Sequence, residues 1–198
     1  MQDKKAILNP ESSYHIYNRA NGSEQLFVSN ENYRYFLKKY DTYINPIADT
    51  FCYCLMPNHF HFLLRIKTEE ELSSTFPKFE TLEKLSLLLS KQFSNFFSSY
   101  TQAFNKQQSR KGSLFMKNFK RKLITNEGYF RKVMHYIHYN PVKAGLATSP
   151  KDWKYSSYRT IISNRETKLQ REEAISYFND LNNFKYCHKI PPEITGIN

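Results

Sequence analysis

Two strand-forming stretches lie so close together in this chain that they can only fold back on one another. Residues 47–55 (IADTFCYCL) and 59–66 (HFHFLLRI) are separated by Met56, Pro57 and Asn58 alone. Antiparallel strands can be joined by so short a connection, whereas parallel strands need a crossover of about a dozen residues. Pro57-Asn58 is not the Asn-Gly type that hairpins prefer, yet the spacing still predicts a hairpin, and the other elements must assemble around it. Upstream, SSYHIYNRA (12–20) reads as a first strand that ends at the turn residues Asn21-Gly22. Asn30 then reads as the N-cap of a helix in which Tyr33, Phe36, Leu37, Tyr40 and Ile44 recur at helical spacing, ending near Asn45-Pro46.

Downstream of the hairpin, residues 67–80 are acidic and broken by Pro77, as expected of a loop or a short irregular excursion. From Leu82 onward, Leu85, Leu89, Phe93, Phe96, Tyr100 and Phe104 mark a long amphipathic helix, followed by a flexible NKQQSRKGS (105–113). Residues 113–124 read as a basic fourth strand. A helix capped by Asn126 follows, which Pro141 should stop at about Asn140. The resulting β-α-β-β-α-β-α order predicts an α+β fold: a ferredoxin-like split β-α-β with an antiparallel central sheet and helices on one face, over residues 1–150. Five glycines and no Gly-rich phosphate loop disfavour a dinucleotide fold. Residues 151–198 read as a C-terminal extension packed on that domain, with a short helix in REEAISYFNDL and a loose tail. No internal repeat is visible.

Composition narrows the function. No apolar run approaches the roughly 18 residues of a membrane span, so no membrane partner is expected. The N-terminus lacks the basic region, apolar segment and cleavage site of a secretory signal. Cys52, Cys54 and Cys187 cannot all pair within the chain, which fits a reducing cytoplasm. The 29 Lys and Arg against 18 Asp and Glu give a formal charge of +11, with Tyr and Phe dense among the basic residues. Positive charge attracts phosphates and aromatic faces stack on unpaired bases, so the favoured partner is nucleic acid.

The chemistry-bearing residues begin in the second hairpin strand. Side chains at i and i+2 share a face, so His59 and His61 can converge on one ion while Phe60 and Phe62 pack on the other side. A hydrogen-bonded pair of histidines at a sheet edge fits the same spacing. In the helix after Asn126, Phe130, Val133, Met134 and Ile137 fall within about 100° of arc, and Tyr136 and Asn140 lie about 40° apart on the flank of that stripe. Asn140 offers a carbonyl oxygen acceptable to a hard cation such as Mg²⁺ or Mn²⁺. Tyr136 offers a phenol one turn earlier, with Tyr129 and Tyr139 as other candidates. A second reading of the hairpin remains open. If Pro57-Asn58 is a two-residue turn, Cys52 and Cys54 share the face of His59 and His61, a set suited to structural Zn²⁺. The plainer reading of the same cysteines is as small buried hydrophobes.

MPNHFHFLL (56–64) together with YIHYNPVKAGL (136–146) resembles the single-tyrosine His-hydrophobic-His transposases, comprising the smallest insertion-sequence transposases and the relatives associated with repetitive extragenic palindromes. The likeness runs from about residue 14 to 158 and takes in YHIYNR, GSLFMKNFKRK and DWKYSSY. It departs at Ala20, where the first motif often has Gly directly after its Arg. The resemblance implies an enzyme that nicks and rejoins single-stranded DNA at hairpin or palindromic sites. His59 and His61 match the metal pair, Tyr136 the nucleophile and Asn140 the amide-bearing third ligand. It also implies a divalent cofactor, Mg²⁺ or Mn²⁺, a 5′-phosphotyrosine intermediate, and a homodimer as in the insertion-sequence members. Lys117, Lys120, Arg121 and Lys122, with Arg110 and Lys111 before them, are candidate phosphate contacts. Arg19, His15 and Lys143 fall in motif segments bordering the DNA groove. A domesticated nucleic-acid-binding protein without the chemistry is the alternative.

Overall fold

A computed structural model of the chain describes residues 6–76, 80–193 and 195–197. The break expected at Pro77 and the N-terminal residues 1–5 lie outside these. The hairpin forms where the spacing places it. Strand β2 (Ala48–Met56) pairs antiparallel with β3 (His59–Ile66), and Met56 faces His59 across the two-residue turn. Strand β1 (Ser13–Arg19) lies on the other side of β3, and β4 (Lys120–Leu123) on the other side of β1. The four-stranded sheet therefore runs β2-β3-β1-β4, all antiparallel, the expected ferredoxin-like arrangement. The fourth strand is shorter than expected. Residues 113–119 leave the ladder apart from an isolated Ala20–Phe115 bridge, and Asn118 takes a positive φ of 63° that turns the chain before Lys120.

The alternation of β1 and β3 divides the molecule into two cores. Tyr14 and Ile16 with Phe60, Phe62 and Leu64 face helices α1 (Asn30–Tyr43) and α3 (Leu82–Gln107). There Phe36 meets Phe60, Phe96 and Tyr100 with ring centroids 5.3, 4.7 and 4.9 Å away. The N-cap of α1 is Ser29, one residue before the expected Asn30, because Ser29 and Asn32 form a reciprocal capping box. The acidic segment contributes a short helix, α2 (Glu69–Ser73), capped by Thr68 and anchored by the fully buried Leu72.

The opposite face of the sheet is also covered, which the expectation of helices on one face missed. Helix α4 (Glu127–Lys143) lays Phe130, Val133, Met134 and Ile137 on Phe51, Cys52, Cys54, Met56 and Leu63. Asn126 caps it as expected. Pro141 does not stop it, because so near the C-terminus a proline forfeits only the bond to the Ile137 carbonyl, and Pro141 is itself buried. The helix ends where Gly145 takes a positive φ of 69°, with Gly145 N–H bonded to the Val142 carbonyl and Leu146 N–H to that of Pro141.

The C-terminal segment completes this second core through α5 (Tyr158–Ile161), α6 (Arg171–Ser176) and α7 (Leu181–Cys187), with Tyr158, Ile161, Phe178 and Phe184 buried. It also covers the outer edge of β2: Leu55 N–H bonds the Tyr155 carbonyl, and Trp153 Nε1 donates to the Leu55 carbonyl at 2.9 Å. The tail, expected to be loose, is held against α4. Ile197 is buried in the second core, Lys132 pairs with Glu193 at 3.0 Å, and the Gly196 carbonyl accepts from Lys122. Among the described residues no helix is long and apolar enough to cross a membrane.

A chain of buried polar groups runs through this core. His188 Nδ1–H donates to the Phe184 carbonyl at 2.7 Å, which leaves His188 Nε2 to accept from His138 Nδ1–H at 3.0 Å. His138 Nε2 then meets the Ser157 hydroxyl at 2.9 Å. Burial holds both imidazoles below their ordinary value, His188 at about 3. In the unfolded chain they protonate near pH 6.5. The unfolded state therefore binds more protons below that pH, and stability is complete above about 6.5 and declines as the pH falls toward 3. The expected result is a urea midpoint that is level between about pH 7 and 8 and falls steadily from about pH 6.5 to 5, less steeply in His188→Phe. A midpoint that stays flat to about pH 5 would contradict this assignment.

Candidate active site

The β1–β3 register assembles the site. His15, Tyr17 and Arg19 occupy alternate positions of β1, and Tyr17 and Arg19 stand directly opposite His61 and His59. All five side chains project to the face that α4 covers, as do Lys120 and Lys122 of β4, which pair with Tyr17 and His15. A cleft of about 640 Å³ opens there, lined by Tyr17, Arg19, His59, His61, Lys117, Lys120 and Tyr136 together with Asn18, Asn58, Met116 and Asn118.

Within the cleft the rings of Tyr136 and His61 meet edge to face, with centroids 5.5 Å apart. Helix α4 can present Tyr136 there because its apolar stripe is seated on the sheet and Tyr136 lies on the flank of that stripe. His61 is the more deeply buried histidine of the pair, 6% exposed, and its Nδ1 is 2.9 Å from His15 Nε2. His59 Nδ1 is 2.7 Å from Asn58 Oδ1. Each imidazole therefore keeps Nε2 as the nitrogen not engaged by these partners. Burial, then the Arg19 charge, lowers His59 to about 4; burial, then His15 and His59, holds His61 well below the ordinary range. Both are neutral at physiological pH, the form that binds metals.

Two neutral imidazoles fit a divalent cation, whereas Asn140, the expected third ligand, is not among the residues lining the cleft. Its amide nitrogen donates to the Tyr136 carbonyl at 2.9 Å. The Tyr136 phenol is raised above its usual value by burial, partly offset by the Asn140 side chain. It therefore requires activation before it can act as a nucleophile at neutral pH.

Other expected residues separate by strand parity. Lys117, Lys120 and Arg19 border the cleft, while Lys143, exposed at the end of α4, is not among its lining residues. Arg121 points to the opposite face of the sheet, where Nη1 donates to Ser90 Oγ at 2.8 Å. Lys122 is on the site's face but reaches the Gly196 carbonyl and lies over the Tyr129 ring. Arg110 is engaged by Glu24 at 2.6 Å. Neither Tyr129 nor Tyr139 lines the cleft: the Tyr129 hydroxyl is directed to the Gly196 carbonyl, and Tyr139 is edge-on to His135.

The register also decides the zinc reading. Cys54 faces His61 across the ladder, the parity that reading required. Even so, Cys52 and Cys54 are fully buried against α4, and Cys54 Sγ contacts Met56 Sδ at 3.8 Å. Among the described residues no three His, Cys, Asp or Glu side chains group to hold a metal. Sequence reasoning missed Tyr17, which stacks on His15 with centroids 4.7 Å apart, and the His15–His61 contact. The available signal was the alternation of His15, Tyr17 and Arg19, which becomes informative only once β1 is known to neighbour β3.

No protein-family model matches the chain. Over 112 residues it is 28% identical to a REP-associated tyrosine transposase of Haemophilus influenzae, covering 56% of this chain and 58% of that relative. The matched part is thus a little over half of the curated relative's length. A solved structure of a REP-associated tyrosine transposase bound to a REP hairpin superposes with a TM-score of 0.61 at 14% identity, covering 83% of this chain and 87% of that one. At that identity the likeness is one of fold. The sequence match is to the same kind of protein that the two motifs resemble, and the structural match shows the same fold.

The neutrality of the paired histidines is directly measurable. In long-range ¹⁵N spectra, the His59 ring is expected to titrate near 4 and the His61 ring well below the ordinary imidazole value. Titration of either ring at the unperturbed value of about 6.5 would contradict the described burial.

Proposed function

We propose that the protein is a metal-dependent tyrosine transposase that nicks and rejoins single-stranded DNA beside a hairpin. The observation that carries this reading is the Tyr136 phenol set edge-on against His61 in a cleft whose rim is basic. Arg19, Lys117 and Lys120 would hold the phosphates on either side of the scissile bond, and Tyr17 offers a ring on which an unpaired base can stack. His59 and His61, with Asn140, would hold Mg²⁺ or Mn²⁺. When bound, such an ion polarises the scissile phosphate as a Lewis acid.

In this reaction the Tyr136 oxygen attacks phosphorus, the P–O3′ bond breaks, and the phenolic proton is lost to a base while the departing oxygen becomes a 3′-hydroxyl. The product is a 5′-phosphotyrosine that retains the energy of the phosphodiester. Attack by a second 3′-hydroxyl reverses the step, releases the Tyr136 phenol and joins the new strand, so no nucleotide cofactor is consumed. His15 serves as a positioning residue: with Nε2 accepting from His61 Nδ1–H, the Nε2 lone pair of His61 is left for the ion. Asn58 does the same for His59. The hairpin partner is assigned by analogy with the solved relative, which was bound to a REP hairpin.

With a hairpin oligonucleotide carrying a single-stranded flank and Mn²⁺ or Mg²⁺, the wild-type protein is expected to form a denaturant-resistant adduct and Tyr136→Phe to form none. Adduct of undiminished yield in Tyr136→Phe would move the nucleophile elsewhere. His61→Ala should abolish cleavage and retain most of the binding, because phosphate contacts supply the affinity. Replacing Lys117 and Lys120 together by Ala should flatten the slope of log affinity against log salt by roughly 1.4, at about 0.7 per single-strand phosphate contact. Lys143→Ala should leave that slope unchanged.

A further inference from the structure

A second concavity lies on the face of the sheet that carries the first core, away from the Tyr136 side. It is a groove of about 990 Å³ between α3 and the 113–121 segment. Groove and cleft meet at Asn18, Met116, Lys117 and Asn118, which line both. They can meet there because β4 starts only at Lys120 and pairs with β1 no further than Tyr17. Between there and the Ala20–Phe115 bridge, where Met116 N–H bonds the Arg19 carbonyl, residues 117–119 bulge out of the ladder, and a polymer leaving the cleft need only pass over this bulge to reach the other face.

The lining suits one kind of polymer. The Phe97 and Phe119 rings lie in it with centroids 5.6 Å apart, and Arg121 braces Phe119 from 5.2 Å. Leu87 and Met116 leave apolar surface uncovered on its walls, 71% and 44% exposed. Lys117 supplies positive charge, and Ser90, Ser94, Ser98 and Thr101 offer small hydroxyls that leave the space open. Along α3 the lining extends from Glu83 to Gln102, about 28 Å at roughly 1.5 Å per residue. Aromatic rings beside a cation recognise unpaired bases, whose faces are exposed, and a duplex keeps those faces stacked inside.

We infer that this groove receives the single-stranded DNA that continues beyond the cleft, its bases against Phe97 and Phe119 and a phosphate at Lys117. The inference rests on the nicking reaction proposed above and adds a second binding site on the opposite face of the sheet. It predicts that the length of unpaired strand beside the hairpin contributes to affinity.

The test compares one hairpin oligonucleotide carrying a long single-stranded flank with the same hairpin trimmed to the nucleotides at the scissile phosphate. Wild type should bind the long form at least about tenfold more tightly, since stacking a base on an aromatic ring contributes about 1–3 kcal/mol. Ser94→Glu combined with Ser98→Glu, both at exposed positions of α3, should bring that ratio close to one at an unaltered thermal midpoint. Lys91→Glu, an exposed site on α3 outside the groove with the same change in net charge, should leave the ratio at its wild-type value. A ratio that survives the double substitution, or that falls equally in Lys91→Glu, overturns the inference. So does a concentration-dependent dimer that the double substitution abolishes, because a second copy would then be the occupant. Wild-type adduct on the long oligonucleotide is read separately: its formation with no flank effect sinks the groove alone, and its absence sinks the nicking reaction as well.

Discussion

The antiparallel register between β1 and β3 is the constraint on which the rest of the structure depends. With Tyr17 opposite His61 and Arg19 opposite His59, one set of alternate side chains becomes a wall of phenylalanine and tyrosine, and the other becomes a polar cleft. A slip of one residue would exchange the faces, burying charge in the first core and baring Phe60 and Phe62 to the cleft. The depth of the first core, where Phe36, Phe60 and Phe62 are all essentially inaccessible, therefore fixes the site as firmly as any contact within it.

The second core performs a different task. Tyr136 is aligned by the packing of its own helix, in which Phe130, Val133 and Ile137 are seated on β2 and β3 while α5, α6 and α7 close the far side. The imidazole chain from His188 through His138 to Ser157 ties that helix to the C-terminal segment, and Ser157 in turn accepts from Tyr53 N–H at 2.8 Å. The extension is thus part of what orients the tyrosine, and it blunts the edge of β2 that would otherwise invite another strand.

Much of this was legible from residues alone because it follows local rules. The limits of β3, the start of α3 at Leu82 and the Asn126 cap are set by periodicity and capping chemistry. Strand alternation put His59 and His61 on one face and helix angle put Tyr136 beside Asn140, while the choice of Tyr136 over Tyr129 and Tyr139 came from the resemblance of the motifs. What was not legible depends on partners distant in sequence. The contact of His15 with His61 spans 46 positions and that of His138 with His188 spans 50. Arg121 looked equivalent to Lys120 and Lys122 within a basic run, yet strand parity sends it to the other face. Pro141 read as a helix stop because tertiary burial, which offsets its lost hydrogen bond, has no local signature. The tail read as loose because its few anchors, Ile197 foremost, find their partners only on the folded α4 and β4.

The central claim is that Tyr136, among the tyrosines around this sheet, is the group that takes the DNA. Trapping the protein on a hairpin substrate, digesting both components and locating the modified peptide by mass spectrometry tests it without altering a residue. The account predicts a 5′-phosphonucleotide on Tyr136 of α4, located by fragmentation within the peptide that it shares with Tyr139. A phosphonucleotide on Tyr17 of β1, or on Tyr129 or Tyr139 of α4, would contradict it.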